Sequence, residues 1–237
     1  MLHCRANPSG SCEVLSLSDH PVFNSTYRAF LFDMDGTVLT SIAAAERVWT
    51  TWAVRHGVDV ESFLPTIHGA RAIDTIRRLG LPGVDAEAEA AWITKAEIDD
   101  VDGVFEVAGA AKFLRSLPAR QWAIVTSAPR ELALRRMAAA GIPEPAVMIT
   151  AEDVTAGKPD PAGYRLAARR LGVEPGQCLV FEDATVGILA AEAAGADLMI
   201  VTATHERPIE TLHGTLAGYD SVRIKVDADG SIRLKSV

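Results

Sequence analysis

The chain has 237 residues, 49% of them hydrophobic, and a formal net charge of −8 from 31 acidic side chains against 23 lysines and arginines. That length holds one large α/β domain, or one with a smaller domain inserted, and the apolar share suffices for a sizeable core. The acidic balance argues against a general nucleic-acid binder or a protein of anionic membrane surfaces, but not against an anionic small substrate, because a metal ion and a lysine can reverse the field in one pocket.

Residues 1–26 carry scattered Ser and Pro and no long apolar run, so they read as a flexible extension and not as a signal peptide. No apolar stretch approaches the ~18–20 residues that span a membrane. The three cysteines, Cys4, Cys12 and Cys178, form no C-x-x-C pair, and Cys178 falls in an apolar strand pattern. Such a set suits a reducing compartment, and a cytoplasmic location is expected.

The first strong element is the apolar run Ala29-Phe30-Leu31-Phe32, which reads as a strand covered on both faces. It runs into Asp33-Met34-Asp35-Gly36-Thr37, two carboxylates one residue apart where a buried strand meets a glycine turn. Open α/β sheets bind ligands outside the carboxyl ends of such strands. Between residues 42 and 103 only helical patterns appear, over 43–56, 67–79 and 86–99, as expected for a cap inserted over the site.

Alternation then resumes. Strands are expected over 30–33, 122–126, 147–150, 179–182 and 198–202. A helix over 129–140 carries Leu132, Leu134 and Met137 and stops at Gly141, with Pro143 beyond it. Asp160-Pro161 opens another helix that Gly172 closes, and Gly195 closes a third from Val186. Strands alternating with helices imply right-handed crossovers and a mostly parallel, Rossmann-like doubly wound α/β sheet. Runs over 222–226 and 231–235 flank Asp229-Gly230, a hairpin expected as an appendage on the sheet edge. The expected organisation is a core of 27–41 and 104–237 with a helical cap over 42–103.

Four strand ends carry polar residues suited to one reaction: Asp33 and Asp35; Thr126-Ser127; Lys158 in Gly157-Lys158-Pro159-Asp160-Pro161; and Glu182-Asp183. In a parallel sheet these ends meet on one edge. A phosphate monoester is a dianion whose displacement needs positioning and charge neutralisation above all. Mg²⁺ prefers oxygen ligands and shares them with substrate phosphate. Lys158 offers a compact positive charge, Thr126 and Ser127 offer donors, and a carboxylate nucleophile divides the reaction through an aspartyl-phosphate. Taken singly, Thr126-Ser127 could cap the helix after Pro129, Glu182-Asp183 could cap the next one, and Lys158 could be solvated. Glu152 and Asp153 read as solvated loop acids.

The four signatures, DMDGT, the Thr of IVTS, the Lys of GKPDP and the ED of VFEDATVGI, resemble those of the haloacid-dehalogenase-like superfamily. The resemblance covers roughly 28–237. The segment Ile67-His68-Gly69-Ala70-Arg71-Ala72, the run Ala123-Ile124-Val125-Thr126-Ser127 and the C-terminal hairpin look like those of small sugar phosphatases, of the 2-deoxyglucose-6-phosphate and glycerol-phosphate phosphatase kind. The resemblance implies that Asp33 is the nucleophile and Asp35 the acid and base. It implies that Asp33, Asp35, Asp183 and Glu182 hold Mg²⁺, Glu182 directly or through water. Thr126, Ser127 and Lys158 would hold phosphate, and His68, Gly69, Arg71 and Glu46 would reach from the cap towards a sugar or polyol. Where many relatives carry Asp-Ser after the first motif, this chain has Thr40-Ser41, near the hinge into the cap. The expectation is a monomeric sugar phosphatase. The alternative is a phosphosugar mutase of the β-phosphoglucomutase kind, while Asp35 and the acidic pair argue against a dehalogenase.

Overall fold

The computed structural model describes residues 3–6, 12–15, 20–205, 209 and 211–237. β1 (His3–Ala6) and β2 (Cys12–Leu15) pair antiparallel as a unit of their own within the expected extension, whose remaining residues before His20 lie outside the described ones. β3 (Ala29–Phe32) leads through β4 (Leu39–Thr40) into four helices: α1 (Ile42–His56), α2 (Val60–Phe63), α3 (Ala72–Leu79) and α4 (Ala86–Asp99). β5 (Phe105–Glu106) then returns antiparallel to β4, so the two chain crossings brace each other. Alternation follows: α5 (Ala110–Ser116), β6 (Trp122–Val125), α6 (Arg130–Ala140), β7 (Val147–Ile149), α7 (Ala162–Leu171), β8 (Cys178–Glu182), α8 (Thr185–Ala194), β9 (Asp197–Val201) and β10 (Gly214–Leu216). β11 (Val222–Val226) and β12 (Ile232–Ser236) come last.

Six of these strands form one sheet in the order β10-β9-β8-β3-β6-β7, with every pair parallel. Strands buried on both faces explain the unbroken apolar runs. Alternate residues point to opposite faces. Phe30, Phe32, Ile124, Leu179 and Phe181 join one core, while Ala29, Leu31, Ala123, Val125 and Val180 join the other. The first core is rich in rings, with Phe32 stacked on Phe181 at 4.6 Å between centroids. The second is closed by Tyr164, Ala167 and Ala168 of α7 and Ala190 and Ala191 of α8, and the alanines let helix and sheet approach closely. The chain leaves β3 to build β6 and β7 on one side and later β8, β9 and β10 on the other. The ends of β3 and its neighbours are therefore the switch point where such sheets bind ligands.

The helices between 42 and 99 enclose a core of their own, with Trp49, Trp52, Phe63, Ile67, Ile76 and Ile93. Trp52 is fully buried and donates its indole N–H to Glu89 at 2.8 Å. The helix expected from residue 67 starts only at Ala72: Gly69 lies in the left-handed region at φ +76°, so 67–71 form a turn before it.

One other expectation needs correcting. The C-terminal hairpin does not extend the sheet edge. It is a separate two-stranded unit joined to Tyr27 through paired backbone bonds with Ile232, and Val222, Ile232 and Leu234 fill the ring-rich core. The sheet edge is instead β10, a strand of three residues too short to register in the hydrophobic pattern.

Candidate active site

The loops leaving β3, β6, β7 and β8 converge at the switch point. Asp33 follows β3 directly, and its backbone N–H donates to Phe181 O of β8 at 3.0 Å. Gly36 turns the chain at φ +91°, where only glycine is unstrained. A Cβ there would lie 2.0 Å from Asp183 Oδ2, so this glycine also makes room for the acidic pair.

Lys158 reaches across from the loop after β7, where its peptide bond to Pro159 is cis. Its Nζ donates to Asp33 Oδ1 at 2.5 Å and to Glu182 Oε1 at 2.6 Å. The ammonium is almost wholly buried. Burial opposes its charge, but the carboxylates of Asp33 and Glu182 overcome this and hold the lysine protonated well above its usual range. Burial pushes the Asp33 carboxyl up to about 7, against the pull of Lys158. Burial, with the neighbouring Glu182 and Asp33 charges, also drives Asp183 well above its ordinary value.

Glu182 is the fixed point of this arrangement. Besides Lys158, Tyr164 Oη donates to its Oε1 at 2.9 Å, and the backbone N–H groups of Asp183 and Ala184 donate to Oε2 at 2.9 and 3.0 Å. Four donors match the lone-pair sites of a carboxylate. Thr37 Oγ1 donates to Asp183 Oδ1 at 3.0 Å, and His205 Nε2 sits 2.9 Å from Asp183 O.

Carboxylate oxygens of Asp33, Glu182 and Asp183 lie within 4.8 Å of one another. Three acids outnumber the one ammonium among them, and burial raises two of the three. A hard divalent cation relieves both problems and prefers such oxygens. The residues thus fit the group. Asp33 and Asp183 have oxygens to spare for it, whereas Glu182 is committed to its four donors.

Asp35 sits beside this cluster. Its Oδ1 accepts from Ser41 Oγ at 2.5 Å and from Arg136 Nη1 at 3.0 Å. Asp33 and Asp35 line an inner cavity of about 90 Å³ with Thr126, Ser127, His68, Gly69, Trp49, Glu97 and Arg136. Thr126 and Ser127 do not cap α6. Thr126 Oγ1 accepts from Ala128 N, Ser127 Oγ donates to Gly69 O at 2.8 Å, and the Glu152 carboxylate accepts from Arg130 N at the helix start. Glu152 and Asp153 are accordingly structural: Asp153 accepts from Thr150 N and Oγ1 and pairs with Arg170.

The four segments that carry the motifs thus meet, while the residues between 42 and 71 divide. His68 and Gly69 line both the inner cavity and an outer cleft of about 690 Å³. Glu46 lines only the outer cleft and faces His68 Nε2 at 3.6 Å. Arg71 turns away from the inner cavity. Its guanidinium binds Asp74 and the carbonyls of Val154 and Thr155, packs on Gly157, and borders a recess shared with Thr126, Ser127 and Lys158.

This geometry agrees with the family comparison. The profile of haloacid dehalogenase-like hydrolases matches residues 27–195. The chain belongs to the haloacid dehalogenase-like hydrolases. It is an enzyme, and the resemblance read from its motifs holds. Over 185 residues it is 40% identical to hexitol phosphatase A of Escherichia coli (strain K12), covering 76% of this chain and 86% of that one. It is 34% identical over 200 residues to 2-deoxyglucose-6-phosphate phosphatase 1 of Saccharomyces cerevisiae (strain ATCC 204508 / S288c), covering 76% and 81%. A β-phosphoglucomutase from Clostridium difficile shares the fold at a TM-score of 0.66 and 20% identity, over 74% of this chain and 84% of that one.

Sequence reasoning missed Arg136, Glu97 and Tyr164. Each left a trace: Arg136 lies four residues after Leu132, and Glu97 four after Ile93, so both put a charge on the buried stripe of a helix. Tyr164 heads the buried stripe of α7.

Proposed function

We propose that this enzyme is a Mg²⁺-dependent phosphatase of small sugar or polyol phosphates that works through an aspartyl-phosphate. The observation that carries the reading is the Asp33–Lys158 pair, buried at the switch point with Asp35 lining the same cavity. The enzyme is a phosphoric monoester hydrolase. An Asp33 oxygen attacks phosphorus, the bond from phosphorus to the sugar oxygen breaks, and Asp35 passes its proton to that oxygen. Water then attacks the phosphorus of the aspartyl-phosphate and yields a proton to Asp35, and Asp33 is released with inorganic phosphate. Lys158 neutralises the phosphoryl oxygens and keeps Asp33 in line, Glu182 and Tyr164 hold Lys158, and the Thr126 hydroxyl and the Ser127 backbone N–H donate to the phosphate. When bound, Mg²⁺ supplies charge neutralisation through Asp33, Asp183 and the Asp35 carbonyl.

His68 and Glu46 meet the sugar from the outer cleft, and Arg71 acts near the phosphate recess by holding the loop that carries Lys158. All these groups come from one chain, so a monomer suffices. Among the described residues no helix is long and apolar enough to cross a membrane. With cysteine usage of a reducing compartment, we assign the enzyme to the cytoplasm.

The test is phosphate release with Mg²⁺ across hexose, deoxyhexose, hexitol and glycerol phosphates, with Asp33→Asn as control. Release from several of these, absent in the variant, supports the reading. Conversion of a sugar 1-phosphate to its 6-phosphate on adding a bisphosphate, without phosphate release, would make the enzyme a mutase.

A further inference from the structure

Arg136 is a buried cation with no part in the chemistry above. It lies on the inward stripe of α6 with Leu132, Ala133 and Met137 and is 5% exposed. A buried guanidinium is costly unless opposite charge meets it. Two carboxylates from different parts of the chain do so: Asp35 Oδ1 at 3.0 Å from Nη1, and Glu97 Oε1 of α4 at 3.2 Å from Nη2. Glu97 is itself buried, 7% exposed, and lines the inner cavity with Arg136.

The Nη2 contact to Glu97 is close but poorly aligned for a hydrogen bond, since Arg136 Nη2 has no bonded partner among the described residues. Charge, then, holds this end of the fork, while Nη1 makes the directed bond to Asp35. Ser41 adds its hydroxyl at 2.5 Å to the same oxygen of Asp35. Both donors therefore fall on Oδ1, which leaves Oδ2 without a donor among the described residues.

We propose that Arg136, anchored by Glu97, is a positioning residue that fixes the Asp35 carboxyl group for proton transfer to the leaving oxygen. This rests on the reading of Asp35 as the proton donor. Backbone bonds from Gly36 N to Leu39 O and from Val38 and Leu39 N to Met34 O brace the turn that carries Asp35. The rotation of its side chain is what remains to be fixed, and a misplacement of ~1 Å can cost ~100-fold in rate. The directed bond at Nη1 holds the guanidinium on Asp35 and the Glu97 charge beside Nη2 keeps its plane from turning, a restraint that a compact ammonium does not offer. Because Glu97 belongs to α4, the same contact aligns the inserted helices with the catalytic turn.

The test compares a sugar or polyol phosphate, whose alkoxide needs a proton to leave, with p-nitrophenyl phosphate, whose phenolate does not. In Arg136→Met the expected fall in kcat on the sugar phosphate is about 10- to 100-fold, with KM within about threefold. Release of p-nitrophenolate in the first turnover should change by less than about threefold, since that step needs no acid. Arg136→Lys, which keeps the charge and one donor, should recover part of the loss. Equal losses on both substrates would reduce Arg136 to a structural role and overturn the proposal, as would a raised KM with kcat intact. If Arg136→Met fails to fold by circular dichroism, Glu97→Gln carries the test: the same split at about 3- to 10-fold supports the proposal, and an unchanged kcat refutes it. Asp35→Asn separates the two readings, because full turnover of the sugar phosphate by that variant would remove Asp35 as the donor whatever Arg136 does.

Discussion

Gly187 is the third residue of α8, and ordinary helix energetics favours replacing it with alanine by ~1 kcal/mol. The structure predicts the opposite sign. A Cβ at Gly187 would stand 1.6 Å from Glu182 Oε1, 2.0 Å from Cδ and 2.5 Å from Oε2. Glu182 lies wholly buried, so its carboxylate has to swing off its donors. Losing two of its four bonds, from Lys158, Tyr164 and two backbone N–H groups, costs roughly 3–6 kcal/mol at ~1.5–3 each for bonds to a charged group. Set against the propensity gain, Gly187→Ala should destabilise the enzyme by roughly 2–5 kcal/mol. At ~2–4 °C per kcal/mol for a chain of this size, Tm should fall by roughly 10 °C. Lys158 would lose one of its two counter-charges, and kcat should drop by at least about tenfold. Thermal unfolding by calorimetry and phosphate release measure both. A variant as stable as the parent or more so, with kcat intact, would show that Glu182 is not pressed against the start of α8 and does not hold Lys158.

Three further outcomes are expected. Tyr164→Phe removes one donor from Glu182 Oε1 and should cost about 1.5–3 kcal/mol in a denaturant titration, a loss that unchanged stability would contradict. Asp33→Asn should abolish turnover while circular dichroism stays native, and phosphate release at the parent rate would remove it as nucleophile. The third concerns pH. Burial raises the Asp33 carboxyl from 3.8 to about 7 in the metal-free fold, so between those values the folded state binds more protons than the unfolded chain. Metal-free stability should therefore fall as pH rises through that window, by on the order of a few kcal/mol, with Asp183 adding to the same trend. Mg²⁺ should raise Tm more at pH 7.5 than at pH 5, and EDTA should reverse the gain. Equal Mg²⁺ effects at both pH values would show that these acids do not receive the ion.

Much of this enzyme was legible in its sequence for identifiable reasons. A strand buried on both faces must be apolar throughout, so β3, β6, β8 and β9 announced themselves, and glycines marked the ends of α6, α7 and α8. Asp33, Asp35, Thr126, Glu182 and Asp183 were legible because each follows or ends one of those strands, and Lys158 because its loop follows β7; a parallel sheet brings such ends to one edge. Which neighbours hold each of them in place was not legible. The resemblance gives Glu182 to the metal, directly or through water; the fold adds a second task, since Lys158, Tyr164 and two backbone N–H groups all donate to it and make it the anchor of Lys158.

Local sequence thus determined the strands, most helix ends and the side chains that the sheet edge would gather, because these depend on periodicity and turn chemistry within a few residues. Tertiary structure alone decided contacts made over long separations. Arg71 was free, on sequence, to point to a sugar, but it docks on carbonyls more than 80 residues away. The last hairpin folds under Tyr27 because Ile232 and Leu234 find the ring-rich core there and not at the sheet edge. Arg136 meets Asp35 across 101 positions and Glu97 from a different helix, a junction of charge that no window of sequence contains. Which buried charge faces which partner is settled by packing, since only the folded interior sets the distances over which they attract.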